Sequence, residues 1–428
     1  MILKSLYHLQ KALRTQWLNS KKIKDLQFKK FKFITRYAYK NVYFYNRFFK
    51  KNNFNPNKLN KFEDILKIPI LKKDLIRKYG DESLINTKLK NIPSVIRQTS
   101  GSSGISMTIK YDKNSWDFAE AIYARDLISV GYRPWMRMAH FWPEPFNKKN
   151  FYEKMGLLKR TWISTMRDNN YQFNLLAKTN PQVIFGFPST LLILGRLAQS
   201  KNIKLSPKLI FTSGEMLTKD NRQMIENVYS SEIFDQYGCQ EVNRMAFECK
   251  EHSGYHIDED AVLLEFVKNK EHISERERGN IVVTGLFNKA MPFIRYEIGD
   301  IGSPIFDRCA CGRGFSRMSL IEGRQDSFIS LSDGSIIGPR TIKSIIDDSF
   351  LYNNKISNYR IHQKTKKLIE VDIVPGRNYH DGTLVDINNL LCLVFNQQVK
   401  LKFKIIDNIE KSRLGKLRYI QSDVKLKF

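Results

Sequence analysis

Apolar side chains keep helical spacing through residues 1–50, where Leu3, Leu6, Tyr7 and Leu9 are mixed with bases ahead of Phe33, Ile34, Tyr37 and Ala38. Residues 69–80 repeat that pattern briefly, and Gly80 is placed to stop it. The period then changes. Val95 and Ile96 precede Gln98-Thr99-Ser100-Gly101-Ser102-Ser103-Gly104, and Ile105–Tyr111 alternates apolar with polar, the mark of a half-buried strand. Two strands joined by a loop of small hydroxyl residues and two glycines are predicted. Beyond them Asn114 is the expected cap of a helix carrying Trp116, Ala119, Tyr123, Leu127 and Val130, with Gly131 as its stop.

Residues 181–241 are the most legible. Val183-Ile184-Phe185 reads as a buried strand and Ser189 as the cap of a helix through Leu191, Leu194 and Leu197. Strand Lys208–Thr212 follows, then a helix from about Thr218 and strand Ile233–Gln236. This β-α-β-α-β order implies parallel strands joined by right-handed crossovers. Gly186–Ser189, Ser213–Glu215 and Tyr237–Glu241 then emerge at one sheet edge, where open α/β sheets bind ligands. A further strand, Asn280–Leu286, leads to Arg295-Tyr296-Glu297-Ile298-Gly299-Asp300. Beyond Gly323-Arg324-Gln325-Asp326 a helix near Arg340–Phe350, alternating Ile369, Val371 and Ile373, a helix near Val385–Phe395 and a strand with Leu401, Phe403 and Ile405 make a compact α+β unit. The expectation is an α/β fold: a large domain with parallel and mixed sheets over residues 1–325, and a small α+β domain over 326–428.

Composition narrows the partners. The 428 residues are enough for a full core and two domains. No apolar run reaches the roughly 18 to 20 residues needed to cross a bilayer, and the start lacks a secretory segment. Five cysteines, at 239, 249, 309, 311 and 392, are too few and too uneven for a disulfide framework, which points to a reducing cytoplasm. Residues 1–90 hold 23 Lys/Arg against 6 Asp/Glu, much of the formal net charge of +28. The lysines are scattered among Asn, Ile, Phe and Tyr, with no arginine-rich arm, zinc-finger spacing or base-stacking motif, so nucleic acid is not the expected partner. Peripheral contact with the inner face of a membrane through Lys4–Lys32, and a homodimer, stay open.

The chemistry lies in the loops. Thr99–Gly104 can turn backbone N–H groups and hydroxyls inward and cradle phosphate oxygens; taken alone, such a stretch is also an ordinary flexible turn. Its spacing is not that of a P-loop, since no Gly-Lys-Ser/Thr follows. With Thr99–Gly104, Tyr237–Glu241, Arg295–Asp300, Gly323–Asp326 and Gly415-Lys416 in fixed order, the chain resembles the acyl-adenylate-forming (AMP-binding) superfamily. It is most similar to the phenylacetate–coenzyme A ligase group, which includes capsular-polysaccharide relatives. The resemblance starts at Tyr37–Tyr45 and spans nearly the whole chain.

That resemblance implies two half-reactions: a carboxylate and ATP give acyl-AMP and pyrophosphate, and an acceptor then takes the acyl group. It implies that Thr99, Ser100, Gly101, Ser102, Ser103 and Gly104 hold the departing phosphates and that Glu241 holds Mg²⁺. Tyr237, beside Gly238, would stack on adenine near Ser213, Gly214 and Glu215. Asp300 would accept from the ribose hydroxyls, Arg324 would contact the ribose, Asp326 would be the hinge and Lys416 the adenylating lysine. The chain departs from the family pattern at Ile105-Ser106, Gln240 and Ile298. Phe141, Trp142, Phe187 and Pro188 are the expected walls of the acyl pocket. Coenzyme A, an amine or a sugar hydroxyl is the expected acceptor, and the rival reading is a catalytically silent scaffold for polysaccharide assembly.

Cys249, His256, Cys309 and Cys311 form a second constellation. Three cysteines and a histidine beside Gly312-Arg313 are candidate ligands for a structural Zn²⁺, with His252, at Cys-x-x-His spacing, as the rival to His256. Buried free thiols are the alternative. Relatives with Cys-x-Cys-Gly-Arg resemble this arrangement and bind structural zinc.

Overall fold

A computed structural model describes residues 2–89, 91–99, 107–143, 158–269, 271–324, 327–333, 335–351, 353–395, 397–410 and 417–424. Helices Ile2–Thr15, Ser20–Asn41 and Tyr43–Lys51 open the chain. The second buries Ile23, Gln27, Phe31, Ile34 and Ala38, a stripe at three- and four-residue spacing, and its first turn is capped by the Asn19 side chain. Helix Lys73–Tyr79 ends at Gly80, whose φ of +78° suits glycine.

The two strands expected here are β1 (Ser94–Gln98) and β2 (Thr108–Asp112), and they pair antiparallel. The next helix, Lys113–Ser129, is capped by Asp112, which accepts from the Ser115 N–H at 3.0 Å. The expected cap, Asn114, is already inside the first turn. Twelve further strands form one sheet: β3 (Met138–Trp142), β4 (Arg160–Ser164), β5 (Val183–Gly186), β6 (Leu209–Ser213), β7 (Ile233–Cys239), β8 (Asn243–Glu248), β9 (Tyr255–Ile257), β10 (Val262–Lys268), β11 (Glu271–His272), β12 (Gly279–Gly285), β13 (Tyr296–Ile305) and β14 (Arg317–Arg324). Their order is β11-β10-β12-β13-β14-β9-β8-β7-β6-β5-β3-β4. From β4 to β7 the neighbours are parallel; from β7 to β11 they are antiparallel.

Helix Pro188–Ser200 crosses from β5 to β6, and helix Lys219–Tyr229 crosses from β6 to β7. The latter starts where expected, capped by the Thr218 side chain. The former starts one residue before the expected cap: Pro188 fills the first turn, where its missing N–H costs nothing, and Ser189 lies inside the helix.

A separate apolar core that includes Ile342, Tyr359, Val371 and Leu391 gathers the C-terminal segment. Strands β15 (Ile329–Ser330) and β16 (Ile336–Ile337) form a short ladder. Strands β17 (Ile356–Thr365), β18 (Leu368–Pro375), β19 (Lys400–Ile405) and β20 (Ile420–Ser422) form a sheet in the order β19-β18-β17-β20. Strand β17 was not singled out by pattern. The two expected helices run Pro339–Ile346, with a π-helical turn to Leu351, and Gly382–Val394. The architecture is thus α/β, with a large domain of mixed sheet and a small α+β domain. No helix among the described residues is long and apolar enough to cross a membrane.

One buried ionic cluster ties helix Lys113–Ser129 to the sheet. Arg125 is fully buried and donates to both carboxylate oxygens of Asp260 at 2.9 and 3.0 Å, to Asp126 at 3.1 Å and to Asp258. Three buried carboxylates share this guanidinium. Burial accordingly pushes Asp126 up to about 6, against the opposing pull of Arg125. Arg125→Met is expected to cost about 3–5 kcal/mol of folding free energy, because it strands buried charge. Urea denaturation checks this, and an unchanged midpoint would show that the carboxylates do not need the arginine.

Candidate active site and metal centre

The parallel ladder sets the geometry. Ile184 pairs with Ile210 and Ile210 with Ile233, so the segments that follow β5, β6 and β7 leave the sheet on one side. They border a cavity of about 460 Å³. Thr99, Ser213, Gly214, Glu215, Tyr237, Gly238, Glu241 and Asp300, all named from sequence, line it. Ser100–Gly104, Asp326 and Lys416 fall outside the described residues. Arg324 ends β14, with its backbone opposite Asp300.

Specific bonds hold these groups together. The Thr99 N–H donates to the Met107 carbonyl at 3.0 Å and the Met107 N–H to Thr99 Oγ1 at 2.8 Å, extending the β1–β2 ladder by one rung. Tyr111 of β2 donates its hydroxyl to the Gln240 carbonyl at 2.8 Å, which fastens the hairpin to the Tyr237–Glu241 segment. Glu215 accepts from the Ser189 N–H and hydroxyl at 3.0 Å each and from the Leu417 N–H at 3.3 Å. A carboxylate at a helix start is favourably placed, and this one also reaches the residue that follows Lys416. Tyr237 donates to Asp300 at 2.7 Å, and Tyr296 to Glu241 at 3.1 Å. Gly238 admits nothing larger, since a Cβ there would lie 2.5 Å from the Asn243 carbonyl oxygen. Arg295, in the same motif as Asp300, turns away from the cavity and pairs with Glu265 at 2.8 and 3.0 Å.

Of the expected acyl-pocket walls, Trp142, Phe187 and Pro188 line the cavity and Phe141 does not. Phe141 points to the other face of β3, into the core with Leu176 and Leu191, because successive strand residues alternate. That alternation brings His140 to the cavity instead. His140, Trp162 and Phe185 are register partners on β3, β4 and β5, with ring centroids 4.4 and 4.5 Å apart. Tyr123, Arg160 and Arg244 complete this inner wall. Pattern reading missed this wall.

Glu241 suits Mg²⁺, an ion usually held by one or two carboxylates together with phosphate oxygens and water. The second constellation lies elsewhere. One ligand atom each from Cys249, His256, Cys309 and Cys311 lies within 4.8 Å of the others, with Sγ–Sγ 3.6 Å for Cys249–Cys309 and Sγ–Nε2 3.2 Å for Cys311–His256. Tetrahedral zinc with Zn–S of about 2.3 Å sets sulfurs about 3.8 Å apart, so the four atoms fit. His256 Nδ1 lies 3.4 Å from the Phe315 carbonyl, which leaves Nε2 facing the sulfurs. Without metal, burial pushes Cys249 up to about 12 and His256 down to about 4. His252 is engaged elsewhere, bonded to Glu232 at 2.9 Å and stacked on Phe234. The cluster sits beside the N-terminal helices: the Gly314 N–H donates to the Gln16 carbonyl at 2.9 Å, and Arg313 donates to Gln16 Oε1 at 2.9 Å.

The fold is that of the adenylate-forming acyl-coenzyme A ligases. The chain superposes on 2-hydroxyisobutyryl-CoA ligase in its postadenylation state with a TM-score of 0.78 at 18% identity, covering 96% of this chain and 91% of that one. In the thioesterification state of that ligase the score is 0.65. O-succinylbenzoate coenzyme A synthetase from Bacillus subtilis, in complex with ATP and magnesium ion, gives 0.52 at 14% identity over 76% of this chain and 68% of that one. The chain is similar to phenylacetate-coenzyme A ligases and to CapK, and its residues 329–423 match the CapK C-terminal domain. Phenylacetate-coenzyme A ligase of Thermus thermophilus is 26% identical over 342 residues, 77% of this chain and 76% of that protein. Protein CapK of Staphylococcus aureus is 25% identical over 426 residues, 94% of this chain and 89% of its own.

Protein purified without added metal is expected to carry close to one equivalent of zinc, lost in Cys309→Ser and Cys311→Ser. Elemental analysis is the check. No zinc in the wild type, with all three thiols freely alkylated in the folded state, would leave the cluster as buried free thiols.

Proposed function

We propose that this chain activates a small carboxylic acid with ATP, forming acyl-adenylate and pyrophosphate, and passes the acyl group to coenzyme A or another acceptor. A carboxylate oxygen bonds to the α-phosphorus as the bond to pyrophosphate breaks; the acceptor then displaces AMP from the acyl carbon. The observation that supports this reading is the single cavity where Thr99, Glu215, Tyr237, Glu241 and Asp300 meet Leu417–Ile420 of the small domain.

Negative charge builds on phosphate oxygens in the first step, so donors and a cation are required there. Thr99 stands at the mouth of the proposed phosphate loop, Ser100–Gly104. Glu241 would hold Mg²⁺, which supplies charge neutralisation on the phosphates. Tyr237 and the Ser213–Glu215 turn would take the adenine. Asp300 would accept from the ribose hydroxyls, with Arg324 beside it. Lys416 would bridge carboxylate and α-phosphate, and Asp326 would let the small domain swing between half-reactions. The CapK likeness spans 94% of the chain and favours capsular or surface polysaccharide synthesis as the process served.

Incubation with ATP and a panel of acids, with acyl-AMP read by mass and coenzyme A then added, tests the proposal. Pyrophosphate release with none of them would favour a silent scaffold only if ATP also fails to bind. Lys416→Ala is expected to slow adenylate formation by about 10²–10³, the scale for losing one charge-stabilising group. Transfer from chemically supplied acyl-adenylate should persist; if both half-reactions fall together in a folded variant, the alternating mechanism is wrong. Asp300→Ala should weaken ATP binding by at least about tenfold, because the lost hydrogen bonds are charge-assisted. Titration calorimetry reads this, and an unchanged affinity would remove Asp300 from the nucleotide site.

A further inference from the structure

The first 61 residues carry 16 Lys/Arg against a single acid, Asp25, whereas the other 367 carry 55 against 42. A general preference for lysine raises the basic count everywhere; it does not remove the acids from one end. Folding then sorts these charges. Helix Ile2–Thr15 packs against helix Lys113–Ser129, and its Ala12 shares one apolar core with Phe31 and Ile34 of helix Ser20–Asn41. The two N-terminal helices also meet at Phe118, whose ring centroid lies 5.5 Å from that of His8 and 4.8 Å from Lys30 Nζ. On the outward side of the first helix Lys4, Tyr7, Lys11 and Arg14 are exposed at three- and four-residue spacing, which sets them in one stripe. Leu6 and Trp17 are exposed as well. The Arg313 guanidinium braces Trp17 at 4.8 Å, yet the side chain stays 55% exposed. Lys22, Lys29, Phe33, Arg36 and Lys40 make an exposed stripe on the second helix.

Acids on the elements packed beneath do not neutralise these stripes. Asp126, Asp258 and Asp260 are held by Arg125, Glu259 by Ser316 and Glu265 by Arg295, and Glu120 lines the cavity. Asp25 and the half-buried Asp117 stand against nine exposed bases on the two helices. Basic charge set among exposed aromatic and aliphatic side chains is the chemistry of a lipid surface. Lysines meet anionic headgroups, while Trp, Tyr, Phe and Leu enter the interfacial layer. A duplex nucleic acid would use the charges and leave Leu6, Trp17 and Phe33 in water.

We propose that the outward face of helices Ile2–Thr15 and Ser20–Asn41 is a docking surface for an anionic lipid bilayer, on which the protein lies without crossing it. The inference goes beyond the adenylation reading and does not rest on it. Attachment is reversible, because a few interfacial side chains and a set of screened charges hold it.

Flotation of the full chain with vesicles tests this, using phosphatidylcholine alone and a two-to-one mixture of phosphatidylcholine with phosphatidylglycerol. Binding is expected on the mixed vesicles, with a steep fall as salt is added. Lys4→Gln, Lys11→Gln and Arg14→Gln combined should weaken it about 100-fold, since each base near such a surface contributes about fivefold. Lys400→Gln, Lys402→Gln and Lys404→Gln remove the same charge from the exposed side of β19 and should leave binding in place. Leu6→Ser with Tyr7→Ser should weaken binding about fivefold or more while its salt dependence persists. Circular dichroism checks that each variant is folded. Equal binding to both kinds of vesicle, binding to neither, or equal loss in the two triple variants would overturn the proposal. So would a Leu6/Tyr7 variant that binds as well as the wild type, because charge alone suits any polyanion. Tighter binding to duplex DNA than to the mixed vesicles at one salt concentration would overturn it in favour of a nucleic acid.

Discussion

Everything in the cavity depends on the direction in which β5, β6 and β7 are hydrogen-bonded. Parallel pairing forces each strand to be followed by a crossover helix and forces all three carboxyl ends to one edge. Had β6 and β7 paired antiparallel, Ser213–Glu215 and Tyr237–Glu241 would have left the sheet on opposite sides. The bonds at that edge then make it a site. Glu215 holds the start of the helix after β5 and the backbone of Leu417 at once, so a single carboxylate connects the parallel sheet to the segment that carries Lys416. Tyr111 brings the β1–β2 hairpin to Gln240 in the same way.

The antiparallel half of the sheet is secured by different chemistry. Arg125 and its three carboxylates fix helix Lys113–Ser129 against the turn before β10, and the Cys249–His256–Cys309–Cys311 cluster gathers the ends of β8 and β9 with the loop between β13 and β14. Both lie away from the cavity. Both use charge or soft ligands where apolar packing is interrupted, and the cluster stands next to Gln16, Leu18 and Ile23 of the N-terminal helices. The basic opening segment is thereby held to the sheet by hydrogen bonds from Gly314 and Arg313 as well as by its buried stripe.

How far this was legible from sequence follows from where information sits along the chain. The crossover unit was readable because buried parallel strands are continuous apolar runs and their helices carry strong caps such as Thr218. The loops were readable because short motifs of Gly, Ser and acids stand out between such runs. Boundaries slipped where two capping residues compete: Asp112 won over Asn114, and Pro188 displaced Ser189 into the helix. The inner wall was missed for a different reason. Strands β3 and β4 span five residues each, too short for period-two alternation to declare its phase, so Phe141 was assigned to the face that His140 occupies. Contacts across strands, such as those of Trp162, His140 and Phe185, exist only once register is fixed.

The bond between Tyr237 and Asp300 shows how a site can be held ready. The phenol donates to one carboxylate oxygen at 2.7 Å. A carboxylate has about four acceptor positions, so the Tyr237 donor orients Asp300 without by itself exhausting it. On the proposed reading the ribose hydroxyls would meet an acceptor already turned toward the cavity by the residue that takes the adenine. The ordering cost is then met by the fold before the nucleotide arrives, which is the physical meaning of preorganisation. Gly238 contributes by allowing β7 to approach Asn243 closely enough to keep Tyr237 in place. Strand direction, a glycine contact and one phenol thus converge on the position of a single carboxylate.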